Sequence, residues 1–364
     1  KATMHFPEIP EMFNPESEFI LEVSLIQKEA TELIPKSHEI AWDQFILNKG
    51  VHIESSSLEA NNLEIEPLEN GIQIKNDKVA LKINSNSGEI TSWLFEGKEI
   101  TNQPIRPNFW RPPTDNDLGN GMDKWGEIWQ KATYDYSAIL TKEPYLDNDH
   151  DGYVFEVKYK LPNNIAEVNT LFNILPNGNL VIEYNFIAIK KELPNIPRLG
   201  MYMTLDTKFT DVSWYGKGPD ESYWDRKTGQ KLGLYSGEIE EQFHRYSRPQ
   251  ETGNKTDLRW MEVSSNDIKL RVTSSQLLNA SVWPFNMQEL DFSSDDGSES
   301  ASGLVPVTKK HGADIKLGET IQWNIDYLQM GVGGDTSWGR LVHPEYTILA
   351  NKNYSYSFSI TPKL

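Results

Sequence analysis

Three stretches set indoles beside glycine, proline and acidic side chains. The first is Phe109-Trp110-Arg111-Pro112-Pro113-Thr114-Asp115-Asn116-Asp117-Leu118-Gly119-Asn120-Gly121. The second runs from Trp214 to Arg226, and the third is Met330-Gly331-Val332-Gly333-Gly334-Asp335-Thr336-Ser337-Trp338-Gly339-Arg340. A flat indole at the rim of a site is a platform for a sugar ring, whose C–H face is apolar while its hydroxyls seek polar partners. Trp338 lies in a Gly/Ser loop with little local reason for burial. A sugar platform and an indole folded back on its own sheet both fit it.

Other motifs carry less. Asp147-Asn148-Asp149-His150-Asp151-Gly152 opens with the spacing of a calcium loop. The twelfth position, which needs a bidentate Glu, is Lys158, and strand composition follows instead of a helix. An acidic hairpin loop is the plainer reading. Gly331-Val332-Gly333-Gly334 resembles a phosphate loop superficially, but no helix period follows and Asp335 would repel an anion. The seven His show no H-E-x-x-H or H-x-H spacing, and no G-x-S-x-G elbow occurs. Paired carboxylates for glycoside hydrolysis cannot be recognised by spacing, since such partners converge in space.

The elements that must position these loops are strands. Tyr153, Phe155, Val157 and Tyr159 alternate with polar or smaller residues, as do Leu180, Ile182, Tyr184 and Phe186. Ile321, Trp323, Ile325 and Tyr327 alternate with Gln322, Asn324 and Asp326, and Tyr354, Tyr356, Phe358 and Ile360 with three serines. One apolar and one polar face is the pattern of antiparallel sheets packed on one side. Turn chemistry lies between them at Asn70-Gly71, Asn86-Ser87-Gly88, Glu96-Gly97-Lys98 and Pro176-Asn177-Gly178. The stretch 124–132 predicts one short helix. These features predict an all-β chain dominated by one large antiparallel sandwich over residues 63–364. Residues 1–50 hold two strand-like pieces, Phe19–Ile26 and Ile40–Leu47, too few to bury a core by themselves. Residues 51–62 read as a linker. The acidic, serine-rich run 293–303 reads as a mobile loop.

Lys plus Arg number 35 and Asp plus Glu 53, so the formal net charge is 35 − 53 = −18. Nucleic acid and anionic membranes are poor partners for such a chain. The absence of cysteine excludes disulfides, thiolate metal sites and cysteine nucleophiles. No apolar run approaches the ~18 residues of a membrane helix. No signal peptide is visible at Lys1-Ala2-Thr3-Met4-His5, and the start reads as the middle of a longer chain.

Four blocks in this order, Phe109 to Gly121, Trp214 to Arg226, Arg248 to Asp257 and Leu328 to Trp338, resemble the C-terminal domain of large bacterial β-galactosidases of the LacZ type, in glycoside hydrolase family 2. The likeness runs from about Leu63 to the end. Val23 to Phe45 is similar to the last strands of the immunoglobulin-like domain that precedes it. The resemblance implies a galactose-mutarotase-like β-supersandwich. It also implies that the nucleophile and acid/base glutamates, with Mg and Na, lie on a TIM barrel outside this region. No Asn-Glu dipeptide, the local mark of the acid/base residue, occurs here. The chain is then expected to be non-catalytic alone, with no cofactor of its own. It would complete a pocket for retaining hydrolysis of terminal β-galactosides such as lactose, in a homo-oligomer of the whole enzyme. Trp338 matches the family's sugar-stacking Trp. The run containing Asp117, Gly119, Asn120 and Gly121 matches the start of its mobile active-site loop. Phe109, Trp110 and Arg111 would pack the loop base, and 214–226 would be structural. The insert at 293–303 departs from the family. A stand-alone carbohydrate-binding module and a mutarotase-like enzyme, which would need a converging His/Glu pair, are the alternatives. Cytoplasm and periplasm are both compatible compartments.

Overall fold

The computed structural model describes residues 14, 16–50, 62–147, 150–292, 310–336 and 339–364. Two compact units divide the chain at residues 58 and 59. The first holds an antiparallel pair, β1 (Glu18–Ile26) and β2 (Glu39–Lys49). Many of its apolar side chains are exposed, Leu25, Ile40, Phe45 and Leu47 among them.

The second unit begins with a five-stranded antiparallel meander: β3 (Glu64–Leu68), β4 (Gly71–Lys75), β5 (Val79–Asn84), β6 (Ile90–Phe95) and β7 (Lys98–Glu99). Its β5–β6 turn is set locally, since the Asn84 carboxamide oxygen accepts from the Asn86 and Ser87 amides. Then come β8 (Thr101–Asn108) and three short helices, α1 (Asp115–Gly119), α2 (Met122–Trp125) and α3 (Glu127–Tyr134). The expected single helix over 124–132 is thus two helices meeting at Gly126. A Cβ there would lie 2.7 Å from the Met122 carbonyl oxygen and 2.9 Å from the Trp110 ring.

The remaining strands are β9 (Ser137–Asp147), β10 (Gly152–Lys160), β11 (Ala166–Ile174), β12 (Leu180–Ala188), β13 (Arg198–Asp206), β14 (Asp211–Gly218), β15 (Lys231–Glu238), β16 (Lys255–Ser264), β17 (Lys269–Trp283), β18 (Thr320–Gln329) and β19 (Tyr354–Lys363). With β8 they build one twelve-stranded antiparallel sheet. Its main path is β15-β14-β16-β17-β19-β12-β11-β10-β9, and a branch carries β18, β13 and β8 from β17. The all-β class therefore holds. β19 lies inside this sheet, paired to β12 on one side and β17 on the other.

The main core gathers the apolar face of these strands. It includes Trp93, Trp323, Tyr184 and the stacked pair Phe155–Phe172, whose rings are 5.0 Å apart. A second cluster holds Trp110, Met122, Trp283, Phe285, Met287 and Met330. It corrects the expectation of one wet face for β18. Gln322, Asn324 and Asp326 are buried as completely as Trp323 and Ile325. The Met287 amide donates to the Gln322 side chain, and Asn324 bonds to Asn108, Gln322 and Ser281. Polar residues tolerate this burial where they satisfy one another.

Candidate functional site

The first cluster leaves the end of β8 and turns inward. Phe109, Trp110 and Arg111 are all buried. The Arg111 guanidinium donates to Asp117 Oδ1 at 3.0 Å and to the Gly331 carbonyl at 3.0 Å. It thereby joins the first cluster to the third. Asp117 is the third residue of α1 and closes a capping box with Thr114. Its carboxylate accepts from the Thr114 amide and hydroxyl at 3.0 and 2.9 Å. The stretch expected to be a mobile loop therefore starts as a helix, with Asp117 buried and committed to holding it. Gly119 ends α1. Asn120 accepts from the Trp125 indole at 3.0 Å. Gly121, at φ +79° with no atom near a would-be Cβ, separates α1 from α2.

Asn116 ties this helix to the limbs of the third cluster. Its amide nitrogen donates to the Arg340 carbonyl at 2.8 Å and, more weakly, to the Gly333 carbonyl at 3.4 Å. Its oxygen accepts from the Gly339 amide at 3.0 Å. Gly339, at φ +90°, lies so close to α1 that a Cβ would be 2.1 Å from the Gly119 carbonyl carbon. Trp338 itself lies outside the described residues, as do 293–303, 51–61 and Asn148 and Asp149 of the acidic loop.

The second cluster does more than turn a corner. Trp214 is buried, as a structural residue should be. Asp225, however, accepts from the Val332 and Gly333 amides at 3.0 and 2.7 Å. Glu221 accepts from the Tyr223 hydroxyl, the Thr252 hydroxyl and the Gly253 amide at 3.2, 3.1 and 2.7 Å, and from the Tyr246 hydroxyl. The block 248–257 meets the same place. Gln250 bonds to Asp115, and Asn254 donates to the Ser222 carbonyl at 2.7 Å.

Beneath lies a charge cluster that no local pattern announced. Arg198, wholly buried, donates to both Glu251 oxygens at 2.9 Å and approaches Asp326 at 3.4 Å. Two buried carboxylates facing one guanidinium leave an excess negative charge. Burial pushes Asp326 up to about 7, with Arg198 pulling against it and Glu251 adding to the rise. Burial likewise raises Glu251, opposed by Arg198.

Four sequence blocks, with contacts up to 224 residues apart, thus converge on one end of the sheet. Five carboxylates there are engaged: Asp117 by Arg111 and Thr114, Asp225 by two amides, Glu221 by four donors, Glu251 by Arg198, and Asp115 by Arg248 and Gln250. These five brace the loops through charge-assisted hydrogen bonds. Elsewhere, His150 and Glu183 approach to 3.7 Å near the β9–β10 turn, with Asp147 also on the imidazole. No cluster of three or more metal-ligating side chains occurs among the described residues.

The chain belongs to the β-galactosidase small chain family: that family's model matches residues 75–360, and the model of β-galactosidase domain 4 matches residues 1–48. Among curated relatives, the β-galactosidase of Priestia megaterium is 31% identical over all of this chain and 33% of the relative. That of Streptococcus thermophilus is 30% identical, over 95% of this chain and 32% of the relative. The chain spans about a third of the length of the curated relatives it matches. Among solved structures, a putative aldose 1-epimerase from Escherichia coli K12 aligns over 83% of this chain and 99% of its own, at 8% identity and a TM-score of 0.41. A galactose mutarotase-like protein from Lactobacillus casei aligns over 80% and 100%, at 12% identity and a TM-score of 0.41.

Proposed function

We propose that this chain forms a non-catalytic wall of the substrate pocket in a β-galactosidase acting on terminal β-galactosides, with the reacting carboxylates and any Mg or Na supplied by an associated catalytic domain. Its contribution is to hold a sugar-stacking indole, Trp338, in place. The observation that carries this reading is the Asn116 clasp, which fixes the backbone at Gly333, Gly339 and Arg340 on either side of residues 337 and 338. Arg111 and Asp225 anchor the same segment further back. A loop that only linked two elements would need no such bracing. Family membership and the relatives' name support a galactoside as the sugar, and the engaged carboxylates fit a positioning role instead of proton transfer.

The test is Trp338→Ala in the full-length enzyme. Stacking on an aromatic face contributes roughly 0.5–1.5 kcal/mol. KM for several galactosides should therefore rise roughly two- to tenfold, with kcat moving less. An unchanged KM across them overturns the role.

A further inference from the structure

A cavity of about 390 Å³ opens beside the end of β14 and the start of β16, walled by residues 219–221 and 241–244. Lys255, the first residue of β16, lies in its wall. From this geometry we infer that Lys255 is a carbonyl-reactive amine, which takes a small neutral aldehyde from the cavity and forms a reversible imine with it. The inference is independent of the Trp338 reading above.

Two contacts place the amine. Nζ donates to the Pro219 carbonyl at 2.9 Å and sits 4.6 Å from the centre of the Trp214 ring. Pro219 and Trp214 line the same cavity, and Pro219 is exposed. Lys255 as a whole is only 3% exposed, so a reagent reaches it through the cavity and not from open surface. Among the described residues, no carboxylate comes within ion-pair distance of Nζ.

Burial without such a partner disfavours the charged form. It lowers Lys255 to about 8, against the pull of Glu221 and Asp220. At pH 7, roughly 300 times more of this amine is then neutral than of an ordinary lysine. A neutral amine that gives one N–H to Pro219 keeps its lone pair for a carbonyl carbon.

The lone pair bonds to the aldehyde carbon, and the C=O π pair moves to oxygen. One amine proton passes to that oxygen, which gives a carbinolamine. With one proton from solvent, the hydroxyl leaves as water and a C=N bond remains, as the iminium. One amine, one aldehyde and one proton thus give one iminium and one water, with no oxidant or reductant. The positive charge lies in a wall that also carries Asp220, Glu221 and Glu241. His244 and Tyr246 are the other titratable groups there. Glu221 is held by four donors, whereas Asp220 and Glu241 are exposed. These acids select the reagent: an aldehyde that carries its own carboxylate is repelled, and a neutral one is admitted.

The test treats the 364-residue chain with benzaldehyde and cyanoborohydride, which reduces the iminium to a stable benzylamine. Peptide mass spectrometry then maps the labelled lysines. At pH 7, Lys255 should be labelled at least tenfold faster than the exposed Lys190 and Lys191. Its rate should level off above about pH 8, below the range of an ordinary lysine. 4-Carboxybenzaldehyde should label it at least tenfold more slowly than benzaldehyde, and Asp220→Asn with Glu241→Gln should narrow that gap. Lys255→Arg should lose the label, with circular dichroism as the check on folding. The wild-type map and pH profile decide alone if that variant does not fold. Labelling of Lys255 no faster than of the exposed lysines, or a rate still climbing at pH 10, overturns the reactive amine. Equal rates with the two aldehydes overturn the preference for a neutral one. The KM of the whole enzyme plays no part in this readout, so the stacking role of Trp338 stands or falls separately.

Discussion

Replacing Asn116 with alanine removes three hydrogen bonds at once, all to backbone flanking Trp338. At about 1 kcal/mol or less for each such bond, the chain should stay folded while the clasp opens. The Gly339 amide should lose hydrogen-exchange protection in the isolated chain, and KM should rise in the full enzyme with kcat little changed. A variant whose Gly339 amide stays protected would rule the clasp out. Nothing in the sequence marks Asn116 for this work. It stands in a quoted cluster, but its partners lie 217 to 224 positions downstream. Glu251 and Arg198 are hidden for the same reason, 53 positions apart with no periodicity to connect them. Indole-rich loops can be read by type, because composition is local; which side chain grips which carbonyl cannot.

Strands were the legible elements. Alternation fell within β10, β12, β18 and β19, where burial on at least one face demands it. It misled in β18, because the covering cluster comes from β8, β17 and the loops after them, and a strand's own pattern cannot show a second lid. The five-residue α1 is too short for any period. Its only signal was Thr114 with an acid three residues on, a capping box using Asp117 in place of the usual Glu. At this scale α1 and the 331–340 segment act as one piece, pressed together at Gly119 and Gly339. Gly339→Ala adds a methyl where there is no room, at a left-handed φ, and should cost roughly 1–3 kcal/mol locally. Because it breaks the same contact as Asn116→Ala, the two should be strongly non-additive in a double-mutant cycle on KM. Simple additivity would show that helix and segment are independent.

For the whole molecule, the buried charge cluster couples stability to pH. Unfolded, the Asp326 carboxyl titrates near about 4; folded, it titrates at about 7. The folded state therefore keeps a proton that the unfolded state has released. This contribution is complete below about pH 4 and is lost as pH rises through 7, at up to about 1.4 kcal/mol per unit. Asp291, pushed up to about 6 by burial, acts in the same direction. The urea midpoint should fall between about pH 4 and 7, and Asp326→Asn should flatten the fall; an equal slope in both proteins would remove Asp326 from the account. The sheet itself has a temporal consequence. Among the described ladders, β9 to β12 join the rest of the sheet only through β19. On the ribosome, then, most of this sheet is made as two separate halves with raw edges, and neither can close until residue 363 has emerged. Edges of that kind pair readily with other chains. A chain cut before Tyr354 would be not a slightly shortened protein but two unjoined sheets prone to aggregate.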